Sequence, residues 1–374
     1  MFAGSSEIIE CGEDPGMLDA SLEALEEGPG IFELSLRDGE PYFGKTNVLR
    51  RRLKRLLRER TGPSRLLNLR GLVTRIEIWR AASRLEAALI LYEKARTAMP
   101  ETYLEFLKLR MPPYVKLILS NRFPRTQVVT RISAGKAQYY GPFRTRVSAE
   151  QFEHEFLDLF QIRRCPEDLE PRPDHPGCIY GEMNMCLRPC QEVVGEAEYL
   201  SEVARVSEFL ADSGKHLLAS TQSARDHLSA ELNFEEAERQ HKRMERIEQV
   251  VKLRDELVRD VDRLSGVAVT ASTQRDSVNL WFLMQGVWLA PVCFSVAMTG
   301  DQPVPLDHRL RELASSLAAP HATPRERQEH LAILARWCYS TWRDGEWLPF
   351  ESVEKLSFRK LTGAVSRVAA AAAE

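Results

Sequence analysis

The sequence predicts an α+β protein made of several compact units. Its 374 residues are too many for a single hydrophobic core. Alternating segments typical of half-buried strands occur near both ends of the chain, amphipathic helical segments lie between and after them, and four cysteines are concentrated in the middle. These observations predict an N-terminal tail at 1–27, a small α/β domain at 28–109, a basic and cysteine-rich segment at 110–198, a helical hairpin at 199–259 and a C-terminal α/β region at 260–374.

The small α/β domain is predicted to contain a hairpin, a basic helix, a strand and a second helix. Ile31–Leu36 and Pro41–Phe43 are the predicted strands of the hairpin, joined by a tight turn. Asn47 is predicted to cap the basic helix over 48–60, in which leucines form an apolar stripe and arginines occupy the other face. The following strand and helix are predicted at 72–79 and 85–97.

The later segments carry different patterns. Weak periodicity and frequent prolines between Met111 and Val194 predict a segment without a large core. The helical stretch that follows is predicted to break once, at Asn233, with Glu236 as the reciprocal acid of the cap. The apolar seam of this hairpin must be buried, either against a partner protein or between the two helices of the hairpin itself. After Asp262, the pattern predicts three strands of an antiparallel meander and then an amphipathic helix.

Basic residues are concentrated in two clusters, although the formal net charge is -3. Eight Lys or Arg and one acid lie between Lys45 and Arg60, and eight more with no acid lie between Arg110 and Arg146. Aromatic residues between the second set of cations are those expected where bases or sugars pack beside phosphates, and they are Tyr114, Phe123, Tyr139, Tyr140 and Phe143. We therefore expect DNA binding, whereas basic runs that are merely solvated are the alternative.

Compartment and metal binding follow from the same composition. The acidic N-terminus has no basic start followed by an apolar run, and no stretch reaches the apolar length of a membrane span, so we expect a cytoplasmic protein with no membrane contact. Thiols in the cytosol stay reduced, and four thiolates within 26 residues can enclose a metal ion or a cluster. The predicted ligands are Cys165, Cys178, Cys186 and Cys190. Their spacing does not choose between zinc and iron-sulfur.

Three signatures in this order resemble the UvrC excinuclease family of bacterial nucleotide excision repair. PGIFELSLRDGEPYFGKTNVLRRRL is similar to the opening of a GIY-YIG nuclease domain. YYGPFRTR, RRC and GCIYGEMNMCLRPC resemble the family's cysteine segment, which implies a [4Fe-4S] cluster, with zinc as the alternative. ELNFEEAERQHKRMERIEQV looks like the UVR motif, the helical hairpin that binds UvrB. The strands after Gly266 resemble only the start of the family's RNase H-like domain.

The resemblance assigns a nuclease site in which two expected residues are replaced. Tyr42, Lys45 and Arg52 match the family's catalytic tyrosine, lysine and arginine, but Phe32 and Leu91 stand where a tyrosine and the metal-binding glutamate are expected. Without that carboxylate, Mg²⁺ or Mn²⁺ lacks a protein ligand of the kind it prefers. Glu86 and Glu93 are poor substitutes because they lie elsewhere around the helix. The sequence therefore predicts a site that cuts poorly or not at all.

The binding residues are predicted from the two basic clusters and from the hairpin. The DNA-binding candidates are Arg50, Arg51, Lys54, Arg55, Lys116, Arg122, Arg125, Arg131, Lys136, Arg144 and Arg146. The resemblance implies that UvrB contacts the hairpin corner, at Asn233, Phe234, Glu235 and Ala237.

Three functions remain open from the sequence. The first is a UvrC-like repair protein that binds DNA and UvrB through a chain with a degenerate nuclease site. The second is an active, metal-dependent endonuclease that makes a single incision, supported by Tyr42, Lys45 and Arg52 and opposed by Leu91. The third is a redox- or iron-responsive DNA-binding module.

Overall fold

The structure of the protein is a computed structural model that describes residues 2–12, 15–58, 69–297, 304–318 and 320–373. These residues form three antiparallel sheets with helices packed against them, which confirms the predicted α+β class. No helix within the described ranges is both long enough and apolar enough to cross a lipid bilayer.

The first sheet has the strand order β1-β4-β2-β3. Its strands and the helices around it are β1 Glu7–Glu10, α1 Pro15–Ala24, β2 Gly30–Leu36, β3 Tyr42–Thr46, α2 Leu49–Leu56, β4 Val73–Arg80, α3 Arg84–Ala98 and α4 Tyr103–Leu107. The predicted hairpin is confirmed as β2 and β3. Strand β1 pairs with β4, so part of the segment expected to be a tail completes this sheet.

The predicted start of the basic helix, at Val48 with Asn47 as its cap, is wrong by one residue. Helix α2 begins at Leu49, and its cap position, Val48, makes no side-chain capping bond. The backbone N–H of Val48 instead donates to the Thr46 hydroxyl over 3.1 Å, so a threonine turn, and not Asn47, leads into the helix. Residues 59 and 60 of the predicted helix lie outside the described residues.

The middle of the chain contains a second sheet and a large core. Its elements are β5 Tyr114–Ile118, β6 Arg125–Val129, β7 Ala137–Gly141, α5 Arg146–Leu157, α6 Ile179–Glu182, α7 Glu196–Asp212, α8 Lys215–Ala230, α9 Phe234–Lys252 and β8 Arg259–Asp260. The prediction of a segment without a large core is wrong. Phe152, Phe156 and Tyr199 are buried in one cluster with the β5 residues Val115 and Leu117. Adjacent buried residues in β5 hide the two-residue alternation expected of a strand.

The helical stretch is broken twice, and not once as predicted. Ser213 and Gly214 separate α7 from α8, and both have a positive φ, of 63° and 79°. A Cβ at Gly214 would come within 2.6 Å of the Phe209 ring, so the turn requires glycine. The break at Asn233 is confirmed, because its side chain accepts from the Glu236 N–H over 3.4 Å. Glu236 itself pairs with Arg239.

The third sheet lies in the C-terminal region. Its elements are β9 Ser265–Ala271, β10 Ser277–Met284, β11 Val287–Trp288, β12 Val292–Ser295, α10 Leu306–Ser315, α11 Pro324–Cys338, β13 Glu346–Phe350 and α12 Phe358–Ala373. The predicted antiparallel meander and the amphipathic helix α11 are confirmed. Strand β13, which the sequence pattern did not predict, pairs with β9.

The first and last units share a core, which places the functional site between them. Helix α11 packs against α3, and the buried Glu329 carboxylate accepts hydrogen bonds from the hydroxyls of Tyr92 and Tyr103, each over 2.7 Å. Asn279 of β10 donates to Glu86 of α3 over 3.0 Å. The C-terminal region therefore covers the α3 side of the first sheet.

Candidate nuclease-like site, basic groove and cysteine segment

The nuclease-like residues lie in two separate environments. Phe32 is fully buried on the α2 side of the sheet, with the Tyr42 ring 6.2 Å from its own ring. A Cβ at Gly44 would collide with Phe32, so glycine is required where the two strands meet. Lys45 instead lines a cavity on the α3 side together with Leu91. Arg52 is half-buried on α2, and no hydrogen bond between described residues joins it to Tyr42 or Lys45.

No described residue that lines the cavity beside Leu91 is an aspartate or a glutamate. The Glu93 carboxylate accepts from the backbone N–H groups of Phe2 and Ala3, the latter over 2.9 Å. Glu86 accepts from the Ala82 N–H over 2.8 Å as well as from Asn279, and burial raises the pKa of Glu86 to about 7. Both candidate substitutes for the missing glutamate are therefore engaged in structural contacts.

A groove rich in cations runs beside the cavity. It has a volume of about 770 Å³, and its basic lining residues are Lys108, Arg110, Arg144, Arg146 and Arg336. No acidic residue is among its described lining. Arg146 pairs with Glu150 over 2.7 Å, whereas the other four make no salt bridge with a described residue. The groove can therefore hold an anion or a run of phosphates.

Three groove cations, Lys108, Arg110 and Arg336, were not among the predicted DNA-binding residues. Arg336 is the single exposed position between 329 and 338 of α11, which is otherwise buried. The signal available in the sequence was a charged residue on the outward face of an otherwise buried helix. The other residues of the groove come from distant parts of the chain, so this helix alone does not reveal the groove.

The remaining predicted DNA-binding residues lie outside this groove. Arg50 and Lys54 pair with Glu27 and Glu23 of the segment before β2, and Arg122 pairs with Glu196. Lys116 lies over the Tyr139 ring at 5.5 Å. Exposed or half-buried positions without a salt bridge to a described residue are Arg51, Arg55, Arg125, Arg131 and Lys136.

The prediction that aromatic residues pack against bases in the second basic cluster is wrong. All five are buried in the protein interior, at exposures between 0% and 7%. Tyr140, Phe143 and Phe152 pack ring against ring beneath the sheet. Tyr114 and Tyr139 belong to one hydrophobic cluster and Phe123, Tyr140 and Phe143 to another, so the interleaved aromatic residues are core residues and not a nucleic-acid surface.

The four cysteines lie around one lobe. Cys165, Cys178 and Cys190 line a cavity of about 710 Å³, and Cys186 is buried close enough for the other three to raise the pKa of its thiol. That pKa rises to about 11, with burial as the largest cause. Within the described ranges, no three Cys, His, Asp or Glu side chains converge in an arrangement that could hold a metal ion.

The donors of this lobe nevertheless have the chemistry of a cluster or zinc site. Four thiols are the ligand set of both. The Arg188 backbone N–H donates to the Cys186 sulfur over 3.4 Å, and Arg163 donates to the Cys165 sulfur over 3.5 Å. Such donors stabilise thiolates, so the residues present suit a group that needs four sulfur ligands.

The tip of the α8–α9 hairpin exposes two large apolar side chains. Phe234 is 63% exposed and Leu232 is 72% exposed. Leu232 has a φ of 61°, a conformation unfavourable for leucine. Of the predicted partner-binding residues, Asn233 and Glu235 are also exposed, whereas Ala237 is buried against the hairpin. The two helices pack on each other, but the side chains at their tip stay exposed. Leu232 was not among the predicted partner-binding residues because it precedes the Asn233 cap.

Comparison with known proteins finds one matching domain model and a set of distant relatives. Residues 113–209 match the UvrC/Cho excinuclease middle domain. The chain is 22% identical to UvrABC system protein C of Lachnospira eligens over 273 residues, which are 72% of this chain and 44% of that protein. It is 25% identical to the same protein of Trichormus variabilis over 321 residues, 82% of this chain and 49% of the relative.

These matches cover less than half the length of each relative, and no solved structure matches the chain. The matched middle domain contains strands β5, β6 and β7 of the second sheet and all four cysteines of the cysteine segment. The chain is therefore similar to UvrABC system protein C over 72% to 82% of its length, and its residues 113–209 are similar to the UvrC/Cho excinuclease middle domain.

Proposed function

We propose that this chain is a nucleotide excision repair protein that binds DNA and UvrB but does not itself incise DNA. The observation that carries the DNA-binding part is the groove, where Lys108, Arg110, Arg144 and Arg336 lie without acidic neighbours in its described lining. Phosphate contacts by such cations supply most of the affinity for a nucleic-acid backbone.

Loss of incision follows from the chemistry of the cavity at Leu91. Phosphodiester cleavage needs a metal ion to offset the developing charge, and Mg²⁺ or Mn²⁺ needs oxygen ligands. A metal ion in this cavity would require a carboxylate ligand, but the Leu91 side chain stands at that position and the charged residues of the lining are cations. Helix α11 also covers this wall, with Trp337 and Arg336 in the lining. In this proposal, Tyr42 and Arg52 keep structural or phosphate-binding roles.

The hairpin tip is the proposed UvrB contact. Exposed apolar side chains are unfavourable unless a partner covers them, and Leu232 and Phe234 stand next to each other at a corner. Leu232 keeps a left-handed backbone at this corner, although that conformation is unfavourable for leucine. Asn233 and Glu235 would supply polar contacts around this apolar centre, as is usual in protein interfaces.

A [4Fe-4S] cluster, or alternatively zinc, is proposed as the group held by Cys165, Cys178, Cys186 and Cys190. When bound, it would cross-link the chain segments that carry the four cysteines. The residues themselves orient the sulfurs, through the N–H groups of Arg188 and Arg163, and burial of Cys186 excludes water from one side.

An active single-incision endonuclease is the alternative function. Lys45 at the cavity, and Tyr42 and Arg52 near the hairpin, are the groups that such chemistry would use. This alternative requires a carboxylate from another segment to reach the cavity.

A two-part binding assay tests the proposal. The chain should shift a labelled duplex in a mobility assay and should be retained by immobilised UvrB. A chain that binds neither ligand, although it is folded by circular dichroism, would refute the proposed function.

A further inference from the structure

A cavity between α3, α4 and α11 has the dimensions of a small-molecule site. Its volume is about 410 Å³, within the range of pockets that hold cofactors and other small ligands. The nuclease-like unit contributes Lys45 and Leu91 to the wall, and the C-terminal region contributes Trp337 and Trp342. The cavity thus exists only where the two units meet.

Four cations line the cavity, and one carboxylate lies at its edge, where Asp344 accepts from the Arg84 backbone N–H over 2.6 Å and from the Trp337 indole N–H over 3.0 Å. Lys45, Arg84, Lys108 and Arg336 line it, and none of them makes a salt bridge with a described residue. Burial lowers the pKa of Lys45, and the neighbouring charges of Arg336 and Arg84 lower it further. Mutual repulsion of this kind is relieved by a bound anion, so the geometry of four cations around one opening indicates an anionic ligand.

Aromatic side chains lie next to these charges. Trp342 is 65% exposed and the Arg84 guanidinium lies 4.7 Å above its ring, while Phe106 on another wall is 41% exposed. Exposed tryptophan and phenylalanine beside arginine form the platforms on which nucleobases stack. An apolar flat body and an anionic group would therefore both find partners in one cavity.

The cavity continues into the basic groove. Both are lined by Lys108, Arg336 and Ser340. A strand whose phosphates follow the groove would reach the cavity without leaving a basic surface. The groove and the cavity together would therefore suit a nucleic-acid strand whose phosphates lie in the groove and whose terminal base lies in the cavity.

We propose that this cavity binds one nucleoside phosphate, with the phosphate held by Lys45, Arg84 and Arg336 and the base packed against Trp342 and Phe106. The nucleoside phosphate is either the terminal nucleotide of a DNA strand in the groove or a free nucleotide. The first of these sources rests on the proposed DNA binding, whereas the second does not.

Binding of two probes distinguishes the sources. Thymidine 5′-monophosphate is titrated by calorimetry, and a fluorescent oligothymidine with a free end is compared by anisotropy with a duplex whose ends are closed by hairpin loops. The variants are Trp342→Ala and Arg84→Ala, both at exposed positions that should leave the fold intact. Matched controls outside the cavity are Leu200→Ala for an exposed apolar residue and Arg275→Ala for the exposed cation.

We expect each cavity variant to weaken the free-ended oligothymidine by at least about ten-fold, as base stacking on one aromatic ring implies. Affinity for the closed duplex and for both probes in the control variants should stay unchanged. Binding of the free nucleotide without DNA binding would support the cavity and refute the proposed DNA-binding function. Equal affinity of the native protein and the cavity variants for the free-ended probe and the nucleotide would overturn the inference and leave the proposed function intact.

Discussion

The groove makes the salt dependence of DNA affinity a quantitative test. Four of its cations, Lys108, Arg110, Arg144 and Arg336, make no salt bridge with a described residue, whereas Arg146 shares its charge with Glu150. Each phosphate contact with B-DNA contributes about -0.9 to the slope of log K against log salt, so four contacts give about -3.6. A rise from roughly 50 to 200 mM salt should then weaken binding by about 150-fold.

The double variant Arg144→Ala/Arg336→Ala should halve this slope. Two remaining contacts give a slope of about -1.8, which corresponds to an approximately 12-fold loss over the same salt range. The assay is fluorescence anisotropy with a labelled undamaged duplex at a series of salt concentrations. The matched control, Arg275→Ala/Lys360→Ala, removes two exposed charges outside the groove and should keep the native slope.

Two results would refute this reasoning. An equal slope in the groove variant and the native protein would mean that DNA lies elsewhere, for example along the exposed Arg51 and Arg55 of α2. A native affinity that does not change with salt would mean that phosphate contacts do not drive binding at all.

Three further predictions concern the hairpin, the cysteines and Glu86. Phe234→Ala should reduce affinity for UvrB by about ten-fold or more in calorimetry, as for an exposed aromatic anchor; unchanged affinity would place the contact elsewhere. The purified protein should absorb at about 400 nm and Cys186→Ser should lose this band, because four thiolates hold an iron-sulfur cluster; a colourless protein with stoichiometric zinc would contradict the cluster. Because burial raises the pKa of Glu86 to about 7, its ionisation should destabilise the folded state as pH rises through that value. Urea unfolding should therefore show stability falling between about pH 5 and pH 8, by on the order of 2 kcal/mol, and Glu86→Gln should remove that fall; an equal fall in the variant would show that other groups cause it.

Local patterns predicted much of the fold. The β2–β3 hairpin, the meander and helix α11 follow from short-range periodicity that the structure retains. The second break in the helical stretch was missed because Ser213 and Gly214 lie between two segments with helical patterns on both sides. The middle core was missed because β5 begins with two adjacent buried residues, Tyr114 and Val115, which pack into different hydrophobic clusters.

The site was less accessible to sequence reasoning than the fold. Leu91 was singled out through a motif, and in the structure it lines a cavity together with Lys45. The walls of the cavity, however, come from Arg84, Arg336 and Trp342, which belong to no shared motif. Only tertiary packing of α11 on α3 brings them together, and no spacing along the chain encodes that contact.

Cleavage of a labelled, lesion-bearing duplex in the presence of UvrA, UvrB and Mn²⁺ tests the central claim most directly. The proteins compared are the native chain, Arg52→Ala and Leu91→Glu, which places a carboxylate in the cavity beside Lys45. We predict no incision by the native chain and incision gained by Leu91→Glu. Incision by the native chain that disappears in Arg52→Ala would establish an active nuclease and contradict the account.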